Sequence, residues 1–254
     1  MAGHSKWANI KRQKARVDAK KGKTFTQLSR AIIVAARNGI ADPEGNFQLR
    51  TAINQAKAAG VSNDSIERSL AKGAGTYQNS ETSLEEIRYE GYGAGGVAVL
   101  VEALTDNRNR TVAYLRTAFA KNGGNLGETG CVSWMFEQKG VAIVTDVNEE
   151  KLLEASLEAE AESYQMYDEQ NAEVLTEITN LENLNQTLQR YNCAIEEIEL
   201  RWIPNNMIEI IDLEQGRSLI QLIDTLESLD DVQKVTANFD MSEELIAACS
   251  QTIE

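Results

Sequence analysis

The sequence predicts an α+β protein: a small N-terminal helical bundle followed by antiparallel sheets that carry helices on one face. Three observations predict it. Apolar residues recur at helical spacing from Phe25 to Leu70 and at alternating spacing from Leu84 onward. Past that switch, strand-strand-helix units repeat over short spans. The charge divides at the same place: residues 1–75 hold 14 Lys/Arg against 5 Asp/Glu, and residues 76–254 hold 11 against 34. Those nets of +9 and −23 sum to the −14 of the whole chain. A length of 254 residues suits roughly two domains, or three small ones.

Residues 4–23 come first. They hold Lys6, Lys11, Arg12, Lys14, Arg16, Lys20, Lys21 and Lys23 against the single acid Asp18, with Trp7, Ile10 and Val17 as the sizeable apolar residues. Such a segment buries too little to order itself and is expected to fold on a partner. Two readings are open: a solvated tail, or a polyanion-binding arm in which Trp7 stacks on bases while the cations meet phosphates.

Three amphipathic helices follow. Phe25, Leu28, Ile32, Ile33 and Ala36 share one face of a helix over about Phe25 to Arg37, stopped by Asn38-Gly39. Phe47, Leu49, Ile53 and Ala56 do the same up to Gly60. Ser62-Asn63-Asp64 caps a third helix, which carries Ile66 and Leu70 and ends before Gly73. Three short helices with tight links resemble a helix-turn-helix bundle. The composition then changes, which places a boundary near Gly75 to Ser83.

Strands are expected at Leu84–Tyr92 and Val97–Leu104, joined by a glycine-rich hairpin, then a helix over about Arg110 to Lys121. Cys131–Phe136 and Val141–Thr145 read as a second strand pair, followed by a helix over about Glu149 to Ala161. Strand 173–178, helix 181–191, strand 194–202 and strand 207–211 come next. Helix 217–229 and strand 232–238 complete the pattern.

Several chemistries are argued against by the same residues. Gly91, Gly93 and Gly96 spell the dinucleotide fingerprint, but Val97 to Val101 after them form a strand, whereas a bound pyrophosphate needs a helix N-terminus there. His4 is the sole histidine, and Cys131, Cys193 and Cys249 are widely separated, so neither a metal site nor a Cys-His or Ser-His-Asp centre is expected. No catalytic residue, metal, cofactor or small-molecule substrate is therefore assigned. The N-terminus shows no apolar signal region, and runs such as Ala31–Ala36 fall far short of the ~20 residues of a membrane span. A soluble, cytoplasmic protein with no membrane partner is expected.

Asp106-Asn107-Arg108-Asn109-Arg110-Thr111 precedes a helix, where cations oppose the dipole. Arg108 and Arg110 are read either as paired with Glu102 or Asp106, or as a second anion contact beside exposed backbone N–H groups. From Glu149 to Glu182 there are 11 acids and one base, Lys151: a solvated face, or a region that excludes phosphates and so orients the basic end.

Ala2 to Ile10 (AGHSKWANI), the lysines to Lys23, Tyr89-Glu90-Gly91-Tyr92-Gly93 and Gly95 to Val99 resemble the YebC family. So do Glu102 to Thr111 (EALTDNRNRT) and Gly123 to Gly127 (GGNLG). The resemblance covers nearly the whole chain and is strongest up to about Phe136. It implies an N-terminal helical bundle and two ferredoxin-like α/β lobes, the third domain being inserted in the second. The expected division is a basic arm and bundle at 1–75, a discontinuous central lobe at 76–130 with 204–254, and an acidic inserted lobe at 131–203. The family's usual description implies a probable transcriptional regulator that binds DNA. Its mitochondrial relatives imply a translational activator (of cytochrome c oxidase), and bacterial members imply a link to the ribosome. No catalytic residue or cofactor comes with it.

The expected function is a non-enzymatic, nucleic-acid-binding regulator of gene expression. Lys6, Trp7, Lys11, Arg12, Lys14, Arg16, Lys20, Lys21 and Lys23 would contact the polyanion, with Arg108 and Arg110 adding a contact at a cleft between lobes. DNA is one target. Ribosomal RNA, on the ribosome, is the other, since the third helix offers only Asn63, Arg68 and Lys72 for reading base edges. A third reading is a protein-interaction adaptor whose acidic lobes engage a basic partner.

Overall fold

The computed structural model describes residues 21–76 and 84–250, with the backbone alone at 21–24, 38 and 250. Contacts divide the chain into two compact units: residues 1–136 with 204–254, and residues 137–203. Helix α1 (Lys21–Asn38), α2 (Phe47–Ala58) and α3 (Asn63–Gly73) form the bundle. The apolar spacing explains it: Ile32, Ala36, Leu49, Ile53, Ala56 and Ile66 meet in one core. Asn46 fixes the first corner. Its side chain caps α2 by accepting from the Leu49 N–H at 3.0 Å and donates to the carbonyls of Ala35 and Ile40 at 2.8 and 2.9 Å. Ser62 caps α3 by accepting from Ser65 N–H.

The rest of the first unit centres on a four-stranded sheet. Strands β1 (Glu85–Tyr92) and β2 (Ala98–Thr105) form the expected antiparallel hairpin, turning through Gly95 and Gly96 at φ of +71° and +77°. Helix α4 (Arg108–Lys121) and strand β3 (Asn125–Leu126) follow, and the chain leaves the unit at Phe136. It returns at Pro204 into β8 (Ile208–Glu209), α7 (Leu213–Glu227), β9 (Val232–Ala237), β10 (Phe239–Asp240) and α8 (Glu243–Ser250). The sheet order is β3-β1-β2-β9, all neighbours antiparallel. Val99, Val101, Val235 and Ala237 of the sheet share a core with Leu115 and Phe119 of α4 and Leu219, Leu222 and Leu226 of α7. Full burial of each such side chain contributes about 1.5–3 kcal/mol.

The second unit contains β4 (Phe136–Thr145), α5 (Glu149–Glu158), β5 (Ser163–Met166), β6 (Ala172–Thr176), α6 (Leu181–Arg190) and β7 (Ala194–Pro204). Its sheet order is β5-β6-β4-β7. Read from β7, the order of its strands along the chain is fourth, first, third, second, which is the ferredoxin-like arrangement. Leu152, Ala155, Leu184 and Leu188 on the two helices are fully buried.

Cys131–Phe136 is not a strand. Residues 130–135 form a loop with a single 3₁₀ turn at Ser133–Met135, and one strand runs from Phe136 to Thr145. The cause lies in Glu90, whose carboxylate takes amides of this loop that a strand would have offered its neighbour. Strands β3 and β5 and helix α8 are short and had no readable period. Helix α7 begins at Leu213 rather than Arg217, because the Asp212 side chain caps it by accepting from Gln215 N–H at 2.8 Å. No helix among the described residues is long and apolar enough to cross a membrane.

Candidate nucleic-acid interface

Lys6, Trp7, Lys11, Arg12, Lys14, Arg16 and Lys20 lie outside the described residues. Lys21 and Lys23 stand in the first turn of α1, with their side chains also outside the description. Three of the bundle's own cations help to hold the fold. Arg30 donates to the Asp230 carbonyl and pairs with Asp231 at 3.4 Å, and Arg37 donates to the Leu84 carbonyl. Arg50 donates to the Pro43 carbonyl at 3.3 Å and lies over the Phe47 ring, 5.6 Å from its centre. Lys57, Arg68 and Lys72 are exposed. The outer face of α3 mixes Arg68 and Lys72 with Asp64 and Glu67, a poor reader of base edges.

The α4 N-terminus is built as its sequence suggests. Asn107 caps it, accepting from Arg110 N–H at 3.0 Å. Arg110 is ion-paired: its Nη2 lies 2.6 Å from Asp106 and 3.0 Å from Asp231. Of the two readings open for this residue, the geometry has the pair, and the partner that the sequence could not indicate is Asp231, 121 positions away. Arg108 differs. Its side chain is 66% exposed, and its Nε is 3.8 Å from Glu85, a long and weak contact that leaves the guanidinium facing water.

Asp231 is the node of this region. It is only 6% exposed and precedes β9. Besides both arginines, it accepts from Thr111 at 2.8 Å and Thr105 at 3.3 Å, while its own carbonyl accepts from Leu104 N–H. Burial by itself would raise its pKa. Hydrogen bonds from Arg110 and Thr111, with the charges of Arg110 and Arg30, outweigh burial and hold the carboxyl below its ordinary range. These contacts line a cleft of about 1130 Å³ between bundle and sheet, where Arg30, Arg37, Lys72 and Arg110 face Asp106, Asp230 and Asp231. The cleft therefore offers no strongly positive wall to a phosphate.

Glu90 makes a second buried centre. It is 3% exposed, and its carboxylate accepts from the N–H groups of Gly130, Val132 and Ser133 at 2.8, 2.7 and 2.8 Å. Burial pushes its pKa up, and the three amides outweigh that and bring it below the ordinary value. The loop so held presents Trp134, which is 68% exposed. The sequence pattern hid this residue inside an expected strand.

The second unit is closed to anions in a different way. Residues 137–203 hold 16 acids and 4 bases. All four bases are engaged within the unit: Lys139 with Glu137, Glu162 and Glu177, Arg190 with Glu158, Lys151 with the Asn192 carbonyl, and Arg201 with Glu173, Glu197 and Glu199. Burial favours loss of the Arg201 proton, and its three carboxylate neighbours more than reverse that and fix the charge. The glutamates and aspartates that remain face solvent and repel phosphates.

A family model described as the second and third domain of TACO1/YebC matches residues 84–239, and one described as the TACO1/YebC N-terminal domain matches residues 5–76. A "Probable transcriptional regulatory protein" of Gloeothece citriformis is 73% identical over 251 residues, covering 97% of this chain and 98% of that one. One of the same description from Nostoc is 70% identical over 248 residues, with 97% and 98% covered. Among solved structures, a conserved hypothetical protein from Aquifex aeolicus superposes with a TM-score of 0.83 at 46% identity, over 90% of this chain and 94% of that one.

Proposed function

The chain belongs to the TACO1/YebC family, and from that premise we propose that it is a non-enzymatic regulator of transcription that acts by binding nucleic acid. The observation that carries this is the segregation of charge. Residues 1–24 hold eight Lys/Arg against one acid, while the unit 137–203 engages three of its four bases with its own carboxylates and the fourth, Lys151, with the Asn192 carbonyl. The N-terminal segment attracts a polyanion and the unit 137–203 repels it, which favours one mode of binding. Lys6, Lys11, Arg12, Lys14, Arg16, Lys20, Lys21 and Lys23 meet phosphates, and Trp7 stacks. Arg108, exposed at the α4 N-terminus, adds a contact, whereas Arg110 holds the fold. The names carried by relatives at about 70% identity support a role in transcription.

An RNA target is the second reading, favoured by the mixed-charge outer face of α3. Affinity then comes from the backbone, stacking and shape rather than from a helix in a groove. Crosslinking in cells, followed by sequencing of the attached nucleic acid, separates them. The proposal expects recovery of promoter DNA. Recovery of ribosomal RNA in its place transfers the protein to translation, and recovery of no nucleic acid above a crosslink-free control refutes both readings and favours an adaptor of proteins.

A further inference from the structure

We propose that Trp134 is a stacking platform for an unpaired base, so that the ligand of this protein is a single-stranded stretch of nucleic acid. This rests on the nucleic-acid reading above and adds to it a residue and the state of the ligand.

A lone exposed apolar side chain is ordinary on a protein surface. What sets Trp134 apart is how firmly the chain holds it. On its N-terminal side, the buried Glu90 carboxylate pins three loop positions through the amides of Gly130, Val132 and Ser133. Val132 is fully buried as an apolar anchor. The Tyr92 hydroxyl donates to the Cys131 carbonyl at 3.0 Å. On its C-terminal side, Asn205 N–H donates to the Met135 carbonyl at 2.8 Å. The indole itself is fixed, since its Nε1–H donates to that same Cys131 carbonyl at 3.2 Å. A buried carboxylate is costly to place, and here it is used to fix a loop whose largest side chain is left in water.

The arrangement also defines what binds. With its one N–H occupied, the indole offers flat π faces and no hydrogen bond, which suits a ring. The exposed loop neighbours are Glu128, Thr129 and Gly130. Glu128 repels phosphate, so a strand would meet this loop base-first. Stacking is tolerant of sequence and needs an exposed base face, which paired bases in a duplex do not offer. Because the ring is ordered beforehand, little side-chain entropy is lost on binding.

Trp134 extends the proposed interface to the other end of the sheet. Arg108 sits against Glu85 at the start of β1, and the Trp134 loop is tied to Tyr92 at its end. Eight residues of strand separate the two by about 24 Å. One strand passing along this edge would meet an arginine at one end and a ring at the other.

The test uses the full chain with Trp7→Phe and Trp202→Phe, leaving Trp134 as the sole indole. It is titrated with a single-stranded 20-mer of mixed sequence and with its duplex, by indole fluorescence and by anisotropy of a label on the nucleic acid. Quenching of the indole by the single strand is expected, and Trp134→Ala should weaken that binding roughly 5- to 150-fold. Trp134→Phe should restore most of it, and duplex binding should change little. Thermal melting of the alanine variant should match its parent, because the side chain is exposed. Undiminished single-strand binding by Trp134→Ala overturns this inference alone. An equal loss on the duplex contradicts the single-strand assignment. If the unsubstituted protein binds neither form, the nucleic-acid reading falls and this inference with it.

Discussion

Arg110 reaches across 121 positions of sequence to place its Nη2 3.0 and 3.1 Å from the two carboxylate oxygens of Asp231. Because Arg30 of the bundle engages that same carboxylate, one buried charge ties α1, α4 and the start of β9 together. Asp231→Asn removes the charge that two guanidinium groups and two hydroxyls are arranged around. Loss of one partner of a buried pair costs about 3–5 kcal/mol. Urea unfolding should therefore show Asp231→Asn destabilised by about 3 kcal/mol. Arg110→Ala, whose residue is partly exposed, should cost less. The two changes should be clearly non-additive in a double-mutant cycle, as expected for residues in contact.

Stability should fall in acid, through identified groups. Asp231 and Glu90 both have folded pKa values below their ordinary ones. As pH falls, the unfolded chain takes up these protons first. The stabilisation is thus complete above the ordinary carboxylate range and is lost as pH drops through the lowered folded values. Thermal melts at neutral pH and at successive steps below about pH 4 should show a progressive drop for the wild type. Glu90→Gln should melt lower at neutral pH, because the amide puts a donor among three donors, a cost of about 1–3 kcal/mol. Its melting temperature should also fall less between neutral pH and acid. A slope identical to wild type would remove Glu90 from this account.

Gly91 lies where β1 crosses β3 and α4. A Cβ there would stand 2.6 Å from the Asn125 carbonyl oxygen and 2.7 Å from the Phe119 ring. Neither neighbour is the loose end of a flexible chain, so Gly91→Ala should cost about 1–3 kcal/mol by overpacking. Chemical denaturation checks it. The expectation is notable because the same glycine belongs to the run that spells a dinucleotide fingerprint; its physical role is close packing of strand against ring.

The bundle was legible because its apolar stripes, its capping residues Asn46 and Ser62 and its glycine stops are all local signals. The β1–β2 hairpin was legible for the same reason. The Arg110–Asp231 pair was not, since pairing across the fold leaves no mark on local spacing. Glu90 was hidden likewise: its partners are backbone amides 40 to 43 positions on, and any sequence can supply them. That hidden carboxylate is also why Cys131–Phe136 misread as a strand. The apolar run Val132 to Phe136 alternates well enough, but its amides are already taken. Trp134 was lost with it, although a tryptophan beside a glycine-rich turn is a usable signal. The charge division was fully legible. Less so was that Arg30, Arg37 and Arg50 of the bundle are used inside the fold, which leaves the segment before α1 as the main source of cations.

The most direct test of the central claim is the salt dependence of nucleic-acid binding. With about six phosphates neutralised by the basic end, log Kd-derived affinity should fall against log salt with a slope of roughly −4 to −5. A variant with Lys6, Lys11, Arg12, Lys14 and Arg16 changed to glutamine should bind more weakly and with a slope nearer zero. A wild-type slope near zero, or a variant indistinguishable from wild type, would contradict the account.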